Sequence, residues 1–194
     1  MVSRKSLFAI ATLITISLLV LLLVSGTRAA PPNSGMAQPA LAQVILEPTA
    51  MAWVSSAEPN ASFGGLGYVW VGYGHGTGQS LSILRGLVDF DLGNSVPAGA
   101  TVTDARLYAT IIGAQGPADH FVYDIGHWLS PWDQTVTWNT KPVAQFHEAG
   151  PDISATAGQV SWDATYIVQT WLDGTYPQHG FIIRREYDNT DPQE

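Results

Sequence analysis

Asp89 and Asp91 are the first residues whose spacing could support chemistry. They fall in ILRGLVDFDL (83–92), where Leu84, Gly86, Val88, Phe90 and Leu92 alternate with Arg85, Leu87, Asp89 and Asp91. That period of two belongs to a strand, so both carboxylates share one face. Paired carboxylates hydrolyse glycosides when they flank a cleft about 5–9.5 Å apart. With further oxygen ligands they hold calcium, the one cofactor this sequence suggests. A solvated strand face explains the pair without either role. The other catalytic signatures are missing. His75, His120, His127, His147 and His179 form no H-E-x-x-H pattern and no i, i+4 pair. There is no G-x-S-x-G. Gly74–Gly78 (GHGTG) does not join a strand to a helix as a phosphate loop does. With no cysteine, thiolate catalysis and zinc–thiolate sites are excluded. The chain reads as non-enzymatic.

Aromatic residues offer a different chemistry. Seven tryptophans are many for a domain of this size. An exposed indole is a flat apolar platform on which a sugar ring can stack, and a buried one is a large core filler. Trp171 lies on the apolar stripe of a predicted helix and Trp138 alternates with threonines, so both read as core. Tyr68 and Trp70 share a strand face, and Tyr73 flanks the glycine-rich turn that follows. Trp132 follows Pro131 in the irregular stretch SPWDQTVTWNTKP (130–142). Tyr68, Trp70, Tyr73 and Trp132 are therefore the candidate ligand-binding residues.

The positioning elements follow from the pattern. Arg4 and Lys5 precede an apolar run, Leu7–Val24. This is the layout of an export signal, and the run is also long enough to anchor in a bilayer. Residues 1–29 are read as signal peptide or signal anchor, and residues 30–42 as an Ala/Pro-rich linker. Either way the body, residues 43–194, lies outside the cytoplasm, secreted or membrane-anchored. From Gln43 onward five basic residues face sixteen acidic ones, a net charge of −11. Phosphate binding needs clustered Lys and Arg, so nucleic acid is excluded as a partner and a polyanionic glycan is disfavoured.

Short strands are predicted at Ala50–Val54, Tyr68–Val71, Ser82–Leu92, Thr103–Ile112, Phe121–Trp128 and Gly180–Arg185, with turn residues between them. One helix is predicted from Asp163, as N-cap, to Asp173-Gly174. Many short strands and one helix indicate an all-β sandwich.

Six segments in order resemble the DNRLRE domain, or disaggregatase-related repeat. They are AWVSSAEPNASFGG (52–65), YVWVG (68–72), ILRGLVDFDL (83–92), VPAGATVTDARLYA (96–109), SPWDQTVTWNTKP (130–142) and WDATYIVQTWLDGTYPQHGFII (162–183). The resemblance implies an extracellular, jelly-roll-like β-sandwich related to carbohydrate-binding modules. It also implies a non-catalytic role, with polysaccharide or a cell-envelope component as partner. A structural or adhesive surface domain without a small ligand is the alternative. Two departures stand out. Met51 occupies a first-strand position where the family usually has Asp, which would weaken a calcium site there. The sequence also ends at Glu194, where the family continues into a final strand, so either the sandwich lacks an edge strand or the sequence is a fragment.

Overall fold

The computed structural model describes residues 11–24, 40–75, 81–93, 95–96, 100–114, 120–148, 152–154 and 158–185. It is an antiparallel β fold with one short helix, as expected. In chain order the strands are β1 (Ala11–Val24), β2 (Ala40–Leu46), β3 (Ala50–Ser55), β4 (Phe63–Gly64), β5 (Val69–His75) and β6 (Leu81–Asp89). There follow β7 (Thr101–Ala114), β8 (His120–Trp128), β9 (Ala144–Glu148), β10 (Asp152–Ser154) and β11 (Gly158–Asp163). Helix α1 (Thr165–Leu172) and β12 (Phe181–Arg185) complete the fold.

The hydrogen-bonded order is β10-β8-β12-β6-β5-β1-β7-β11. β2 pairs with β1, β3 with β4 and β6, and β9 with β8. β6 belongs to both halves of the sandwich. Its first residues, Leu81–Leu84, pair with β5, and Gly86–Val88 pair with β12. A strand shared in this way turns the corner between layers. Between the layers lies the main core: Val69 and Val71 of β5, Val88 of β6 and Phe90 just after it, Ala105–Ile111 on alternate positions of β7, Ile125, Phe181 and the buried face of α1. The alternation read from the sequence for β6 and β7 selects these residues. Trp162 of β11 crosses the core and donates its indole N–H to the Tyr123 carbonyl on β8 at 2.7 Å.

The structure differs from the sequence reading in four places. Trp162 is 1% exposed and belongs to β11, a strand absent from those predicted. The N-cap is Ala164, one residue after the expected Asp163, which instead accepts the Thr165 N–H at 2.9 Å. The C-terminal reading holds, because Gly174 has φ of 75° and follows the αR residue Asp173. β2 starts at Ala40, inside the stretch read as linker. Ala11–Val24, read as the apolar part of an export leader, is a strand paired with β7, β5 and β2. A continuous run of Leu, Ile, Val and Thr suits a strand inside a sheet as well as a leader, so sequence alone does not separate them. Among the described residues no helix is long and apolar enough to cross a membrane. The positions 76–78 of the glycine-rich turn, the basic start of the chain and residues 186–194 lie outside the described residues.

Candidate functional site

Arg85 and Leu87 point away from the main core, yet both are fully buried. The solvated face read for Asp89 and Asp91 holds at exposed Asp91 but does not extend to Arg85 and Leu87, which are covered by the connection between β8 and β9. Val136 of that connection joins Ala52, Val54, Leu87, Trp128, Ala144 and Ile182 in a second apolar cluster, with Trp132, Trp138 and Phe146 packed around it. Short-range hydrogen bonds shape the covering loop. Asp133 accepts from the Thr135 N–H, and its carbonyl accepts from the Val136 N–H. Thr140 Oγ1 accepts the Thr137 N–H at 2.9 Å, and the Lys141 N–H reaches the Thr137 carbonyl. These turns use Asp and Thr as local acceptors, the role that favours them in loops.

A second segment grips this loop from outside. The Asn139 N–H donates to the Pro59 carbonyl at 3.0 Å, and its side-chain amide donates to Asn60 Oδ1 at 2.9 Å. Ser62 Oγ donates to the Gln134 carbonyl at 2.8 Å. At Gly64 a Cβ would lie 2.0 Å from that carbonyl oxygen, so only glycine fits. PNASFGG and WDQTVTWN, read separately in the sequence, are the two halves of one clasp.

The two tryptophans of the loop have different settings. Trp138 lies between cations, with Arg85 Cζ 5.1 Å and Lys141 Nζ 4.5 Å from its ring centroid. It is half-buried and plugs the outer face, close to its expected core role. Trp132 is also half-buried, and its indole N–H donates to the His179 carbonyl at 2.8 Å. That bond fixes the ring. Beside it opens a pocket of about 330 Å³ lined by Pro131, Trp132, Asp133, Thr135, Val136, Thr137 and Thr140. The wall is therefore one fixed aromatic ring, three hydroxyls and a carboxylate. The Thr135 hydroxyl and N–H bonds hold the Asp133 carboxyl below the ordinary value, so it is ionised at neutral pH. Both bonds use Oδ1, which leaves Oδ2 to accept from a ligand hydroxyl.

Of the predicted site residues, Trp132 alone lines this pocket. Tyr68 lies just before β5 and Trp70 within it, both half-buried. Trp70 is the Cα partner of Leu13 on β1. The Tyr73 ring is covered by Arg185, whose Cζ lies 4.9 Å from its centroid. Asp89 is half-buried; burial pushes its carboxyl above the ordinary value, partly offset by the Phe90 N–H bond and by His179. Asp91 is exposed. Among the described residues no group of three or more His, Cys, Asp or Glu comes together to hold a metal ion. Calcium takes 6–8 oxygen ligands, of which Asp89 and Asp91 would supply only a part. Of the two histidines with described side-chain surroundings, His127 is buried against Tyr176, and His179 serves through its carbonyl.

An aromatic wall beside hydroxyls on the outer face of a β-sandwich is one of the surfaces that grip sugars. The family model for carbohydrate-binding module family 96 matches residues 42–193. The chain belongs to carbohydrate-binding module family 96. No curated protein and no solved structure matches it. The family 96 match covers β2 through β12, and with them both halves of the clasp and the Trp132 pocket. It gives carbohydrate as the ligand class and a non-catalytic module as the kind of protein.

One feature of the module was legible in the sequence and missed. Asp133-Gln134-Thr135, Asp163-Ala164-Thr165 and Asp173-Gly174-Thr175 are three of the four D-x-T triplets in the sequence, the fourth, at 188–190, lying outside the described residues. In each of the three, the Asp accepts the N–H of the Thr two residues on, at 2.7–3.0 Å. The three mark the bend before the pocket, the start of α1 and its end.

Proposed function

We propose that this module holds a neutral polysaccharide at the Trp132 pocket, outside the cytoplasm, without cleaving it. The supporting observation is the pocket wall: a ring held by its own N–H beside Thr135, Thr137, Thr140 and the free oxygen of Asp133. The ring offers a stacking face at little entropic cost, because it is already fixed. A sugar supplies hydroxyl donors to the carboxylate; the Thr135 hydroxyl already donates to Asp133, and the Thr137 and Thr140 hydroxyls bond each other, so one hydrogen of that pair is left to donate. The net charge of −11 over residues 43–194, five basic against sixteen acidic, works against a uronate or sulfated polymer. The resemblance to the DNRLRE domain supports the extracytoplasmic setting and a cell-envelope or environmental polysaccharide as partner.

The test is affinity electrophoresis of the full chain through gels containing β-glucan, xylan, mannan or a uronate polymer. Retardation by at least one neutral polymer, with none by the uronate, is the expected pattern. Retardation by the uronate alone, or by nothing, would rule the reading out. Reducing sugar released by the purified chain would make it an enzyme.

A further inference from the structure

The segment Ala11–Val24 has a position in the fold that its leader-like composition does not explain. Thr12–Leu23 runs antiparallel to β7 over Ala114–Thr101. On its other edge Ala11–Ile14 pairs with Gly72–Val69 of β5, and Leu18–Val24 pairs with Leu46–Ala40 of β2. The opposite edge of β7 is already taken by β11. β5 and β7 are fixed in place by the main core, through Val69 and Val71 on one and Ala105, Leu107, Ala109 and Ile111 on the other. They cannot close on each other without repacking it. Between them, over the length of Ala11–Ile14, lies a gap one strand wide, and beyond it the edge of β7 continues to Thr101; both present backbone donors and acceptors that need a partner.

We propose that β5 and β7 form a strand-acceptor slot, and that its occupant in the folded chain is the chain's own segment Ala11–Val24. β2 favours this occupant over a second copy, because it lies downstream in the same chain and pairs with the same strand. Residues 25–39, fifteen in number, join the two. The segment then has two mutually exclusive fates. Seated in the slot it completes the sheet. Held in a bilayer, or cut away, it leaves β7 with an open edge. The slot stands independently of the glycan reading, since the Trp132 pocket lies on the β3, β6, β12 and β8 side.

The chain has no cysteine, so an introduced pair is the only one that can close. In the full chain, Ser17→Cys with Tyr108→Cys, and Leu18→Cys with Leu107→Cys, test adjacent register pairs. Adjacent antiparallel pairs alternate between hydrogen-bonded and non-hydrogen-bonded spacing, so the two sample both geometries. At least one should close within a single chain under mild oxidation, and Ser17→Cys with Thr137→Cys should not. Independently, Ile16→Pro should speed amide exchange across Thr101–Ala114 by about tenfold or more while protection of β3 and β12 persists. Absence of an intramolecular bond in a chain with native near-ultraviolet tryptophan dichroism would overturn the proposal. So would a bond between two chains, or unchanged β7 exchange in the proline variant.

Discussion

On the inner face of β6, Val88, with Phe90 just past the strand's end, enters a cluster of aliphatic and aromatic residues that includes Leu107, Trp162 and Phe181. On the outer face of the same strand, Arg85 and Leu87 lie under a loop carrying Trp132 and Trp138. The inner cluster is closed by other strands and a helix, and the Trp162 N–H is satisfied across the core. The outer cluster is smaller, has two buried cations, Arg85 and Lys141, against Trp138, and is closed by turns that bond mostly to themselves and to PNASFGG. Burial of apolar surface holds the first together. The second spends part of its aromatic surface on a wall that stays open to solvent, where a ligand can reach it. On the proposed reading, stability and recognition divide between the faces of one sheet.

Substitutions on the two faces should separate these roles. The largest loss is expected at Trp162→Ala, which empties a fully buried site and removes the indole N–H bond to the Tyr123 carbonyl. It should cost about 3–5 kcal/mol, read as a fall in denaturant midpoint. Trp138→Ala should cost less, about 2–3 kcal/mol, because its ring is half-buried and part of its contribution is cation–π contact with Arg85 and Lys141. A loss at Trp138 equal to that at Trp162 would make the outer face a second core rather than a binding surface.

The smallest effects are electrostatic and have opposite signs. Hydrogen bonds from the following Thr hold the carboxyls of Asp133, Asp163 and Asp173 below the ordinary value. Their stabilisation is present above the unfolded carboxylate pKa and is lost as pH falls through the lowered folded values. Burial holds Asp89 above its ordinary value. Its ionisation opposes folding at neutral pH, and that opposition disappears as pH falls through the raised value toward the unfolded one. Asp89→Asn should therefore raise Tm slightly at pH 7, with the gain vanishing in acid. A lowered Tm at pH 7 would show that the carboxylate serves an ion or ligand.

Much of the inner face was legible in the sequence, because alternation along 83–92 and 103–112 names the residues that enter the core. Gly174 likewise marks the end of α1. β11 was not legible. GQVSWD is short and polar, and Trp162 abuts a true helix, so one apolar pattern appeared to run through both. The outer face was hidden for a different reason. Arg85 and Asp89 make it look solvated, and the loop that covers it lies about fifty residues downstream. Trp132 was among the candidate binding residues, but its partners Thr135, Thr137 and Thr140 were not, since short hydroxyl side chains in a turn carry no periodic signal.

The central claim is that the fixed ring of Trp132, not the β5 aromatics, carries recognition. Isothermal titration of Trp132→Ala and Trp70→Ala with the retained neutral polysaccharide, alongside their melting curves, tests it most directly. Trp132→Ala should lose about tenfold or more in affinity while Tm stays within a few degrees of the parent, and Trp70→Ala should bind normally. Undiminished binding by Trp132→Ala, or loss of binding in a folded Trp70→Ala chain, would contradict the account.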